Sequence, residues 1–184
     1  MRTKRNNIPK TSDKIDIQVL KEHCQSLDLN KNNDLNFWLY CNIAMTTGLR
    51  SVDILEMKVS DINFIKSEVH LKEKKTGKRV KAPLGQIILD KIDRSREFVI
   101  WNEKYKGNVS LMTINRRLKK IYEGSGSNVS SHSIRKSVAT IIYNKTGKDL
   151  IETMSFLNHS SPEGTLRYID VEKTNKSELY ALLN

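Results

Sequence analysis

SHSIRKSVAT, residues 131–140, is the stretch on which the reading of this chain turns. Its serines stand where a helix can be capped, and the run on to Gly147 predicts a helix that begins near Ser131. His132 and Arg135 lie three apart, so they project from one face of that helix, close to its positive end, where a phosphate oxygen is favourably received. Taken alone, a basic pair at this spacing more commonly decorates a solvated helix face. The weight comes from what stands on either side of it.

Downstream, LNHSSPEGTLRYID places His159 and Tyr168 nine residues apart, with Ser161 and Pro162 suited to start a helix between them. Asp149, followed three residues on by Glu152, has capping-box form. Upstream, TTGLRSVDIL puts Arg50 directly after Thr-Gly-Leu, at a loop-to-helix junction where backbone and guanidinium can face one ligand. Between them, EVHLKE and KRVKAPL alternate apolar and polar residues on either side of KKTG, which predicts a β-hairpin with Lys75 at its tip. A long flexible cation there can reach into a neighbouring cleft.

Most of the remaining chain reads as helix. Thr11, Ser12 and Asp13 offer N-caps for a first helix to about Ser26, and the apolar density of FWLYCNIAMTT predicts a buried helix ended by Gly48. SVDILEMKVSDI reads as a helix and a turn, and GQIILDKIDRS and MTINRRLKKIYEG, the latter ended by Gly124, as further helices. The expected class is therefore mainly α with a small antiparallel β-hairpin or sheet, α+β.

At 184 residues the chain suffices for one domain with a real core and is too short for two comfortable ones. Lys and Arg number 32 against 21 Asp and Glu, and the resulting charge of +11 favours a polyanionic partner. A generally basic soluble protein has the same balance, so charge by itself decides nothing further. Cys24 and Cys41 form no CxxC pair and read as reduced, buried thiols. MRTKRNNIPK is basic without an apolar run behind it, and nowhere do 18 uninterrupted apolar residues occur. No membrane association is expected, and the expected location is the cytoplasm of a bacterium or of a phage's host. The four histidines show no ligand spacing, so neither metal nor cofactor is implied. His23 and His70, with Tyr40, Tyr105, Tyr122, Tyr143 and Tyr180, read as packing or surface residues.

Together these segments resemble the tyrosine recombinase, or phage integrase, family. Its pattern is an Arg in a GLR motif, a hairpin Lys, HxxR, a further His in an LGH-like motif, and a Tyr nine residues after that His. Arg50, Lys75, His132, Arg135, His159 and Tyr168 supply each element in order, and the resemblance runs from about Ile8 to Asp170. It implies the recombinase catalytic-domain fold and an enzyme that cuts and rejoins double-stranded DNA through a 3′-phosphotyrosine link, to integrate, excise or invert a segment. In that chemistry Arg50 and Arg135 clamp the phosphate, since a guanidinium stays charged and can bind two oxygens. A phenol loses its proton in water only near pH 10, so the nucleophile Tyr168 needs a base. His132 is the candidate base and His159 a phosphate donor or a positioner. The resemblance gives Lys75 the role of acid toward the leaving 5′ oxygen. Lys72, Lys74 and Lys78 crowd it, and the choice rests on its place before Thr-Gly and on the resemblance.

Two departures stand out. LNH replaces LGH, and Asn158 is the residue other than Gly that best tolerates unusual backbone angles. No counterpart of the separate N-terminal, core-binding domain that clamps DNA in most relatives is expected within residues 1–184, which are expected to form one catalytic domain, with 1–10 a basic N-terminal segment and 171–184 a C-terminal tail. Such a chain is either an excised fragment or like the small members that consist of little else, such as fimbrial-switch invertases. In the family such a tail docks on the next subunit and builds a homotetramer on two DNA sites; folding back on its own domain is the alternative. A DNA-binding regulator that keeps the fold, and a topoisomerase using the same chemistry, are the competing functions.

Overall fold

A computed structural model describes residues 12–169. Its helices are α1 (Ile17–Gln25), α2 (Asn32–Thr47), α3 (Ser51–Leu55), α4 (Gln86–Leu89), α5 (Leu111–Ile121), α6 (Ser131–Lys145), α7 (Leu150–Phe156) and α8 (Pro162–Leu166). The strands are β1 (Ile62–Asn63), β2 (Glu68–Lys72), β3 (Arg79–Pro83), β4 (Trp101–Asn102) and β5 (Gly107–Asn108). None of the described helices is long and apolar enough to cross a membrane.

The main core forms around α2. Phe37, Trp38, Leu39, Tyr40 and Cys41 are consecutive and all buried, as an almost unbroken apolar run requires of a helix covered on every side. Helices α1, α3 and α6 and strand β3 pack against it. The helix ends at Gly48, whose φ of 59° is left-handed and whose N–H bonds Ala44 O at 3.1 Å. A Cβ at Gly48 would also collide with the ring of Phe156. This glycine therefore leaves room for the Phe156 ring of α7 against the end of α2.

The sheet has order β1-β2-β3, antiparallel throughout, with Val69 opposite both Ile62 and Ala82. Those three residues are buried while His70 and Lys81, paired one step along, face outward. The hairpin expectation holds, and a short third strand extends it. A second cluster of Ala139, Leu157 and Ile169, with Tyr143, Leu150, Phe156 and Tyr168 against it, ties α6, α7 and the residues after α8 together.

Several expectations shift. α1 is capped by Asp16, whose carboxylate accepts from Gln18 N at 2.8 Å, and not by Ser12 or Asp13. Ser12 and Asp13 instead hold the approach to α6: the Ser12 and Ser130 hydroxyls lie 2.5 Å apart, and Asp13 accepts from Asn128 N at 2.6 Å. Thr11 lies outside the described residues. GQIILDKIDRS keeps only the four-residue α4, because Asp93 takes the N–H and hydroxyl of Ser95 and the Nε of Arg96 in a local turn that competes with helix. The β4–β5 hairpin has no counterpart in the sequence reading. Ser161 stands at the start of α8 without a side-chain cap bond, and Pro162 alone marks the helix start.

Candidate active site

The first turn of α6 is built by its cap. Ser130 Oγ accepts from His132 N at 3.2 Å, Ser130 N donates to Ser133 Oγ at 3.1 Å, and Ser131 N donates to Asn115 Oδ1 of α5 at 2.8 Å. This fixes His132 at the helix start with an exposed edge and Arg135 one turn in, where it is 3% exposed. The same-face spacing read from the sequence thus separates into one residue at the surface and one in the interior.

Arg135 is the hub of the site. Its Nη1 donates to Gly48 O at the end of α2, and its Nη2 donates to Leu157 O at 2.7 Å and faces His159 Nε2 at 3.1 Å. Its Nε is buried with no hydrogen-bond partner among the described residues. Burial lowers its pKa from the usual guanidinium value, and the neighbouring Tyr168 opposes that shift. The guanidinium carbon lies 5.6 Å from the centroid of the Tyr168 ring.

Arg135 Nη2 can only donate, so His159 Nε2 accepts and the ring proton sits on Nδ1. Nδ1 in turn lies 2.9 Å from Thr165 Oγ1, a fully buried hydroxyl on α8. Burial first, then the charges of Arg135 and Arg50, push the His159 pKa down to about 4, which leaves the ring neutral near pH 7. Of the two roles read from the sequence, this arrangement is that of a positioner; donation to a phosphate needs the other tautomer. Asn158, at φ 52°, makes the left-handed turn that aims His159 inward, as expected of Asn at that position. Tyr168 lies just past α8, half-buried, with its ring centroid 5.4 Å from that of His159.

Arg50 caps α3 and is held differently. Its Nη1 pairs with Glu73 Oε1, a carboxylate 1% exposed at the end of β2. Asp53, one turn into α3 and 3% exposed, accepts Lys74 N at 2.8 Å, and burial raises its pKa. The turn after β2 therefore rests on two buried acids. Lys75 is exposed within it. Lys74 pairs outward with Glu56 at 2.6 Å, whereas the charge of Lys75 bears on both His132 and His159. Although His132 keeps an exposed edge, protein packed around its ring lowers its pKa, by desolvation first and then by Arg135, Lys75 and Arg50.

All six residues read from the sequence thus come together, drawn from α3, the β2–β3 turn, α6 and the stretch around α8. Glu73, Asp53 and Thr165 were missed. KEKKTGKR reads as a solvated run of charge, and only the solitary acid among its cations hinted at Glu73. Among the described residues no group of His, Cys, Asp and Glu is gathered to hold a metal. His70 bonds Glu68 at 3.0 Å on the outer sheet face, and His23 stacks edge-on against Phe37, so both lie outside the site. Cys24 and Cys41 are buried and free.

Solved structures share this architecture. The chain superposes on the XerH site-specific recombinase bound to palindromic difH substrate in a post-cleavage complex, with a TM-score of 0.70 at 19% identity, over 95% of this chain and 54% of that one. A lambda integrase tetramer bound to a Holliday junction gives a TM-score of 0.65 at 19% identity, over 93% of this chain and 53% of that one. The fold is that of tyrosine recombinases. The profile of the phage integrase family matches residues 13–175, so the chain belongs to that family. A "Probable integrase/recombinase YoeC" from Bacillus subtilis (strain 168) is 27% identical over 171 residues, covering 89% of this chain and 90% of that protein. The chain thus spans most of YoeC but about half of each solved recombinase.

Proposed function

We propose that this chain is the catalytic part of a site-specific tyrosine recombinase that cleaves and rejoins double-stranded DNA. The observation that carries the reading is the convergence of Arg50, Arg135, His159 and Tyr168, from distant parts of the chain, on one site where the charges of Arg135, Lys75 and Arg50 also bear on His132. Arg50 and Arg135 stabilise the negative charge that builds on the phosphoryl oxygens, where one well-placed donor contributes about 2.7–4 kcal/mol. The Tyr168 oxygen attacks phosphorus as its proton passes to His132, neutral because its pKa is lowered. The bond to the 5′ oxygen breaks, and Lys75 supplies the proton that oxygen takes up. The 3′-phosphotyrosine link keeps the bond energy, so another strand's hydroxyl can reverse the step.

Incubation with a nicked duplex carrying the target site, followed by denaturing electrophoresis, tests this. The wild-type chain is expected to form a covalent adduct and Tyr168→Phe none, with DNA affinity nearly unchanged because one hydroxyl and no charge is removed. An adduct from the Phe variant would sink the reading, and the absence of one from the wild type would leave a DNA-binding regulator. Exchange between two sites separates a recombinase from a topoisomerase.

Assembly as a homotetramer on DNA, as in the lambda integrase tetramer, is part of the proposal. So is action in the cytoplasm of a bacterium or phage host. The tail, 171–184, lies outside the described residues. Deleting the residues after Lys173 is expected to leave a folded domain that attacks a nicked site yet fails to recombine two sites. Normal recombination by the truncated chain would remove the tail from assembly.

A further inference from the structure

We propose that Glu73 is a positioning residue that couples the phosphate clamp to the lysine turn, holding Arg50 with one carboxylate oxygen and the turn that carries Lys75 with the other. The inference rests on the reading of Lys75 as proton donor to the leaving oxygen. A carboxylate that is 1% exposed is costly to bury and must recover that cost through its partners. Pairing with Arg50 satisfies only Oε1. Oε2 takes the hydroxyl of Thr76 at 2.5 Å, so the two oxygens serve two different chain segments.

The main chain of Glu73 closes the same turn. Its N–H donates to Lys78 O and its carbonyl accepts Gly77 N, each at 2.9 Å. Thr76 is adjacent to Lys75, and Gly77 behind it has φ 68°, where the chain pivots easily. Without the Thr76–Glu73 bond, the outer half of the turn keeps no side-chain tie to Arg50. A displacement of 1 Å at a reacting group can cost on the order of 10²-fold in rate, so this tie sets how well the proton donor meets the leaving oxygen.

Two nicked substrates that differ in one atom test the proposal: one with the ordinary 5′ oxygen at the scissile bond, one with sulfur bridging there. A thiolate leaves without needing a proton, so the sulfur substrate bypasses Lys75. Thr76→Val at an exposed position removes the hydroxyl and keeps the Arg50–Glu73 pair. It is expected to slow cleavage of the ordinary substrate by about tenfold or more and the sulfur substrate little, a fraction of the roughly 10²–10⁴-fold that acid catalysis contributes. Glu73→Ala should slow both, because Arg50 also loses its partner, and Glu73→Gln, which can still accept from Arg50 and bond Thr76, should restore a large part of both rates.

Equal slowing of both substrates by Thr76→Val, or wild-type rates in Thr76→Val and Glu73→Ala alike, would overturn the proposal. Should Glu73→Ala fail to fold, Thr76→Val and Glu73→Gln decide. Lys75→Ala keeps the two readings apart. If sulfur rescues it but the Thr76 variant shows no such selectivity, Glu73 is refuted and Lys75 stands; if sulfur does not rescue Lys75→Ala, the proton-donor reading fails, and this coupling with it.

Discussion

Two arginines stand in the same site, and the protein holds them by opposite means. Arg135 is locked by neutral acceptors, the carbonyls of Gly48 and Leu157 and the imidazole of His159. Arg50 is paired with a buried carboxylate and keeps more of its surface open, with 14% of its side chain exposed. Neutral acceptors orient a guanidinium without cancelling its charge, so Arg135 keeps its charge toward the site. A carboxylate partner cancels charge at the same time as it orients. On the proposed reading, a phosphate must compete with Glu73 for Arg50, while the Arg135 side depends on the fold itself.

Arg→Lys substitution at each position should break the comparison most visibly. Arg135→Lys leaves at least one buried carbonyl without a donor, at about 1–3 kcal/mol for each orphan, and it also loses the two-oxygen grip on phosphate. Arg50→Lys still offers an ammonium to Glu73 and should cost well under that in stability. Both should lose about 10²–10³-fold in cleavage, the scale of one missing transition-state donor. Thermal denaturation beside a single-turnover cleavage assay separates them; equal loss of melting temperature in the two variants would dissolve the distinction.

Gly48→Ala is expected to act on stability more than on cleavage. The left-handed backbone costs an L-residue about 1–2 kcal/mol, and displacing the ring of Phe156 adds overpacking strain of about 1–3 kcal/mol. The shift should reach Arg135 through Gly48 O and spare the Glu73 side. A protein as stable as wild type by urea unfolding would show that α7 yields without cost.

The smallest effect sharpens the picture through pH. The pKa of His159 is about 4 in the fold, against an ordinary value near 6.5 in the unfolded chain. The unfolded state then binds more protons between those values, so stability complete above pH 6.5 is lost as pH falls toward 4. His132 and His23 shift in the same direction, by desolvation first. The melting temperature is expected to drop over that interval, and less steeply in His159→Gln; an unchanged slope would mean that His159 is not held neutral. With His132 as the proposed base, cleavage should fall off at a pH below the ordinary histidine value of about 6.5, since desolvation lowers its pKa.

Much of the candidate site was legible because the family it resembles carries particular residues at fixed intervals. Arg50 after Thr-Gly-Leu, His132 and Arg135 one turn apart, and Tyr168 nine beyond His159 are local patterns, and Gly48 marked the end of α2 by composition alone. The supports were hidden for a physical reason: they are tertiary. Nothing local distinguishes Glu73 from a solvated acid among lysines until β2 and α3 enclose it, and Thr165 acts only once α8 folds over His159. The first helix start was misplaced because Ser12 and Asp13 spend their capping groups on residues more than a hundred positions away.

The bonds of Arg135 carry a consequence for synthesis. They join Gly48, 87 residues earlier, to Leu157, 22 later, and the nucleophile comes later still. A chain emerging from the ribosome has neither a seated Arg135 nor a Tyr168 until residues 157–168 have followed α2, the hairpin and α6. The candidate site is thus assembled only after those late residues emerge, and a product cut short before Leu157 lacks it.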